Sequence, residues 1–154
     1  MDYQNLVVDF ASRTAINLKS LKDLRESQPD AEIYEVTQLI NSMLGLLVFP
    51  KEKYFEQLPL IPFNELESNG WAIPKLESGC EIKNLRELIR FLRNAITHCN
   101  LEFLSNDGSE IIGLCVWNKN KNGDITWKAK LSITDIEQIT GKLLDAIQKA
   151  KIST

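Results

Sequence analysis

Leu85-Arg86-Glu87-Leu88-Ile89-Arg90-Phe91-Leu92-Arg93-Asn94-Ala95-Ile96-Thr97-His98 is the most informative stretch of the chain. Leu85, Leu88, Ile89, Leu92, Ala95 and Ile96, with Cys99 just beyond them, recur at spacings of three and four, so residues 83–98 are expected to form one helix with a continuous apolar face. Cys99 is read as the last core residue of that face. The remaining side chains, Arg86, Glu87, Arg90, Arg93, Asn94, Thr97 and His98, then point away from the core. An arginine, a carboxamide and the only histidine of the chain fall within six residues on this open face. Such a set suits phosphate chemistry: arginine grips phosphate oxygens with a rigid fork of donors, and histidine moves protons near neutral pH.

Two helices are expected ahead of this one. Over residues 4–26, Leu6, Val7, Phe10, Leu18, Leu21 and Leu24 recur at helical spacing, while Arg13, Lys19, Lys22 and Asp23 take other positions. Gln28-Pro29-Asp30 breaks that helix. Asp30 is placed to cap a second, over residues 30–48, whose apolar positions are Ile33, Val36, Leu39, Ile40, Met43, Leu44 and Leu47. The short connection makes the pair antiparallel. Pro50, Pro59, Pro62 and Pro74 fall in the stretch leading to the motif helix, which also holds Phe55, Leu60, Ile61, Phe63 and Trp71. These side chains favour burial, so an ordered connection is expected, with a short helix near residues 51–57.

Beyond His98 the period changes from helical to strand-like. Short segments at 101–104, 110–117 and 124–131 are separated by Asn106-Asp107-Gly108 and Asn120-Lys121-Asn122-Gly123, both turn signals. Ile125, Trp127, Ala129 and Leu131 alternate with Thr126, Lys128 and Lys130, as in a strand with one face on the core. Trp71, Trp117 and Trp127 are read as packing residues rather than base-stacking platforms. Thr134-x-x-Glu137 reads as a capping box for a last helix over 134–150, through Ile136, Ile139, Leu143, Ile147 and Ala150. The expected architecture is a single domain over 1–154, α+β but mainly α: a helical bundle with a small antiparallel β-meander before the last helix.

Composition narrows the function classes. The formal charge of -3 argues against coating nucleic acid by bulk attraction, so any such contact must be local. A local source exists: Lys83, Arg86, Arg90 and Arg93 face only Glu87 between residues 83 and 93. Arg86, Arg90, Arg93 and Thr97 form a stripe at spacings of four, three and four that can track a phosphodiester backbone. Cys80, Cys99 and Cys115 show no metal-ligand or redox spacing and are read as reduced, Cys80 and Cys115 as packing residues. With one histidine and no paired cysteines, a zinc site is not expected, and no metal or cofactor is assigned. The first residues, Met1-Asp2-Tyr3-Gln4, lack the basic and apolar regions of a signal peptide, and no apolar run reaches membrane-spanning length. A cytoplasmic protein without a membrane partner is the expectation.

On an ideal helix of about 100° per residue, Arg93 and His98 stand roughly 140° apart, while Asn94 and His98 are one turn apart. Asn94 is therefore placed to orient the imidazole. Arg93 reaches the same cleft only through a helix distortion or from a second molecule.

Leu92-Arg93-Asn94-Ala95-Ile96-Thr97-His98 resembles the signature of the HEPN superfamily, an arginine followed, commonly through Asn or another polar residue, by histidine after four to six positions. Its place at the end of a late amphipathic helix in a largely helical chain adds to the likeness. The strands between the last two helices resemble an insertion of plasmid-borne and defence-linked members. What the resemblance implies is a metal-independent endoribonuclease, a toxin or antiviral effector, acting on RNA as a homodimer whose paired motifs meet in one cleft. Arg93, Asn94 and His98 would be its catalytic residues, and Arg86, Arg90 and Thr97 would contact RNA. An antitoxin or other inhibitory partner is also implied. The Tyr-x-Tyr extension of toxins silenced by a nucleotidyltransferase antitoxin is absent, because His98 is followed by Cys99-Asn100-Leu101. That type of antitoxin is therefore not expected.

The chemistry of the residues agrees with a dimer. Cleavage by the 2′-hydroxyl needs one group to take its proton and another to protonate the leaving oxygen, and one chain supplies one histidine. Other readings stay open. His98 can cap the last carbonyls of its helix, the arginine stripe can be a solvated face with Glu87 salt-bridged within it, and the domain can bind RNA or protein without cutting.

Overall fold

The computed structural model describes residues 3–50, 52–107 and 110–150. Met1, Asp2, Lys51 at the start of the expected short helix and Gly108 of the first expected turn lie outside them. α1 (Tyr3–Ser27), α2 (Glu35–Val48) and α3 (Glu52–Glu56) are followed by a 3-10 turn (Phe63–Glu65) and β1 (Lys75–Gly79). α4 (Leu85–Thr97) leads into β2 (Leu101–Ser105), β3 (Ile111–Lys119), β4 (Ile125–Ser132) and α5 (Ile133–Ala150). No described helix is long and apolar enough to cross a membrane.

The α+β, mainly helical architecture with antiparallel strands ahead of the last helix is what the pattern required. The four strands form one antiparallel sheet in the order β1-β4-β3-β2. β2, β3 and β4 are the expected meander. β1 was not anticipated, and its sequence shows why: Lys75-Leu76-Glu77-Ser78-Gly79 is exposed throughout, so it has no buried alternation to read. Backbone pairing to β4 and the Lys130–Glu77 ion pair at 3.1 Å hold it instead. Charged residues on an exposed edge also discourage further strand pairing. Gly79 lies at φ +99°, where an added Cβ would run into the Thr126 carbonyl.

α4 packs on β3 on one side and on α2 on the other, and α2 also meets α1 and α5. Leu85, Leu88, Ile89, Leu92 and Ala95 of α4 are fully buried with Leu114 and Val116 of β3 and Trp127, Ala129 and Leu131 of β4. Each such aliphatic side chain contributes about 1.5–3 kcal/mol by leaving water, so this layer fixes the angle of α4 against the sheet. The Phe91 ring meets Trp127 edge-on at 5.3 Å. Cys115 projects from the opposite sheet face, opposite Lys130 and Glu102 in register, yet is buried. That burial raises its thiol pKa, with Lys128 opposing the rise, and keeps the sulfur unreactive.

Several local expectations are corrected. α2 begins at Glu35 behind Tyr34 rather than at Asp30, and Tyr34 makes no side-chain cap bond. The intervening segment is held instead by Arg25, which donates to the Pro29 carbonyl at 3.0 Å. The buried side of α1 runs through Val7, Val8, Ala11 and Thr14, whereas Leu6 and Leu24 are exposed. In the proline-rich connection Phe55 and Trp71 are buried as expected, but Leu60 and Phe63 face solvent. The connection is nevertheless ordered, because Phe63 N–H donates to Lys83 O at 3.0 Å and Leu85 N–H to Ile61 O at 2.9 Å. Ile125 is exposed, so the core face of β4 begins at Trp127. The capping box of α5 lies two residues before the expected one. Ser132 N–H donates to Asp135 Oδ2 at 2.7 Å, and Asp135 N–H donates to Ser132 Oγ at 3.1 Å. Cys80 is exposed rather than packed.

Candidate functional site

α4 starts at Asn84, whose side-chain oxygen accepts from Glu87 N–H at 3.0 Å while the Glu87 carboxylate accepts from Lys83 N–H at 2.8 Å. Its other end places the motif. His98 is the C-cap, with φ -96° and ψ 9°, and its N–H still donates to Asn94 O at 3.1 Å. Cys99 then turns to φ +54°, its N–H donating to Ile96 O at 3.0 Å and that of Asn100 to Ala95 O at 2.8 Å. This is a Schellman motif in which cysteine stands where glycine is usual. The reversal lifts Cys99 off the apolar face, so it is exposed and not the core residue that the helical spacing suggested. Trp117 N–H donates to Asn100 O at 3.0 Å and ties the turn to β3.

The left-handed backbone at Cys99 has a measurable consequence. Cys99→Val is expected to lower stability by about 1 kcal/mol although the site is exposed, because a β-branched residue fits this region poorly. Cys99→Gly is expected to raise stability by up to about 1 kcal/mol, relief of strain outweighing the added entropy of the unfolded chain. Urea midpoints of the two variants check this; equal midpoints would contradict it.

A polar cleft of about 480 Å³ opens between this helix end and the β3–β4 hairpin, lined by Phe91, Asn94, His98, Asn100, Asn118, Lys119, Asn120 and Thr126. Two of the asparagines build its frame. Asn118 Nδ2 donates to Phe91 O at 3.1 Å and pins the hairpin to α4. Asn120 accepts from Asn122 N–H at 2.9 Å and Asp124 N–H at 3.0 Å, and donates to Asp124 Oδ2 at 2.9 Å, which closes the turn. The side chains of Asn94, His98, Asn100 and Lys119 make no hydrogen bond among the described residues. Asn94 and His98 thus share a wall as expected, but the carboxamide does not hold the imidazole.

The arginines face elsewhere. Arg93 is half-buried: its Nε donates to Leu47 O at 2.9 Å and its Nη2 to Pro50 O at 3.4 Å, and its guanidinium lies 4.4 Å from the centroid of the Phe55 ring. It therefore satisfies a carbonyl of the last turn of α2, a group the helix itself leaves unpaired. Arg86 Nε donates to Leu58 O at 2.6 Å, and Arg90, exposed, pairs with Glu87 at 2.9 Å. The three arginines line a separate concavity of about 280 Å³ together with Phe55, Glu56, Leu60, Asn84 and Glu87. Thr97 donates its hydroxyl to Arg93 O at 2.8 Å. Within one chain, then, His98 and Asn94 open on one cleft and the arginine stripe on another. A larger concavity of about 690 Å³, between the proline-rich connection and α5, holds no motif residue.

Asn100, Asn118, Lys119, Asn120 and Thr126 were not candidates from the sequence. The Asn120 turn was legible, but its approach to His98 depends on how α4 lies across the sheet.

A family model described as HEPN pEK499 p136 matches residues 1–154, the whole chain. The chain belongs to this HEPN family. No curated protein and no solved structure matches it. Membership makes this a HEPN-type domain and gives the Arg93–His98 spacing its context: the motif lies at the end of α4, on the side where the β2–β4 meander returns.

Proposed function

We propose that this HEPN protein is a metal-independent endoribonuclease of the cytoplasm, a toxin or antiviral defence effector, working as a homodimer. One observation carries the reading: the sole histidine of a HEPN chain stands exposed at a fixed helix end and lines a polar cleft. In the reaction, a neutral His98 takes the proton of the 2′-hydroxyl as its oxygen attacks phosphorus. The bond to the 5′-oxygen breaks, and that oxygen receives a proton from the protonated His98 of the second chain. A 2′,3′-cyclic phosphate and a 5′-hydroxyl result. Arg93 of each chain adds positive charge near the composite cleft, and Asn94, on the same cleft wall as His98, holds the substrate in position.

One observation favours a second reading. The guanidinium of Arg93 serves the end of α2 and the Phe55 ring, as a purely structural arginine would, which suits a domain that binds RNA or protein without cutting. The two readings part on one assay. Under the first, wild-type protein cleaves single-stranded RNA in excess EDTA, leaves cyclic phosphate ends and spares DNA of the same sequence. RNA binding without any cleavage would overturn the first reading and leave the second.

A further inference from the structure

Charge that develops on the phosphorane needs a cation in the same cleft as the proton-transfer group. The arginines of α4 do not line the His98 cleft of their own chain; Lys119, at the end of β3, does. The concavity that the arginines line also carries Glu56 and Glu87, which oppose a phosphate, whereas no carboxylate lines the His98 cleft among the described residues. The hairpin bearing Lys119 is held in place from both sides. Asn118 pairs with Trp127 in register and donates to the Phe91 carbonyl, and the Asn120 side chain locks the turn that follows.

We infer that the cleft between α4 and the β3–β4 hairpin is an in-chain subsite for single-stranded RNA, with Lys119 holding the phosphate beside His98 and Asn94 and Asn100 hydrogen-bonding a base edge. The inference rests on the ribonuclease reading and assigns its substrate contacts. Lysine suits the role because its ammonium is a mobile point charge with three donors. Carboxamides offer a donor and an acceptor together, as base edges do, and bases are open to such contacts only when unpaired. A volume of about 480 Å³ lies within the range of small-ligand clefts.

The test uses the wild-type protein and a trinucleotide of 2′-O-methyl RNA, which lacks the attacking hydroxyl and cannot be cut. Because the chain has one histidine, the ring resonances of His98 report the cleft without ambiguity. Titration is expected to move them, and Lys119→Gln to weaken the apparent affinity by about fivefold or more and lower the salt slope by about one. Lys119→Arg should restore most of the affinity. Lys75→Gln, which removes the same charge from the exposed edge strand, should not change it. Movement of the His98 signals with equal affinity in wild type and Lys119→Gln would overturn the subsite and leave the ribonuclease reading standing. No movement at all would also overturn the subsite, and cleavage of ordinary RNA by the same preparation would then decide whether the ribonuclease reading survives.

Discussion

His98→Ala is expected to lower RNA cleavage by about a thousandfold or more while the protein stays folded. Positioned acid or base groups contribute roughly 10²–10⁴-fold each, and in the proposed composite site one substitution would remove both. Stability should hardly change, because the imidazole is exposed and makes no side-chain hydrogen bond among the described residues. Only its backbone N–H serves the helix, and alanine keeps that. Cleavage rates together with thermal midpoints check both parts. A variant that cuts as fast as wild type would remove His98 from the mechanism.

Arg93→Ala is expected to behave differently. Its loss strips a donor from the Leu47 and Pro50 carbonyls and a cation from the face of Phe55, so it should destabilise the fold by about 2–4 kcal/mol as well as lower activity. Arg93→Lys should recover only part of the stability, because a point charge cannot reproduce the fork that spans two carbonyls and lies flat on a ring. Denaturant midpoints measured beside cleavage rates separate the two effects. Should Arg93→Ala keep the wild-type midpoint and still lose cleavage, the contacts with α2 would be incidental and the guanidinium purely catalytic.

What the sequence disclosed follows from what each element buries. α4 was plain because Leu85, Leu88, Ile89, Leu92 and Ala95 keep one period from end to end. The meander was plain because Trp127, Ala129 and Leu131 alternate with lysines. β1 was hidden because an edge strand held by backbone pairing needs no apolar pattern. α4 ends one residue before the helical period predicts because the left-handed turn falls on Cys99, and a cysteine at helical spacing reads as core. At the site, the roughly 140° between Arg93 and His98 on an ideal helix already implied different directions. The structure turns that angle into two concavities and shows the carbonyls that take Arg93. Lys119 and Asn100 could not be found by spacing, since they reach His98 through the crossing of α4 over the sheet.

In the proposed mechanism, two His98 side chains from two chains make one cleaving site. Co-expressing wild type and His98→Ala with different tags, and assaying the mixed population at constant total protein, tests it directly. With equal amounts and random pairing, about a quarter of the dimers keep both histidines, so the rate should fall to about a quarter of wild type. A fall to one half, in proportion to the wild-type chains present, would mean that each chain cuts alone and would contradict the composite site.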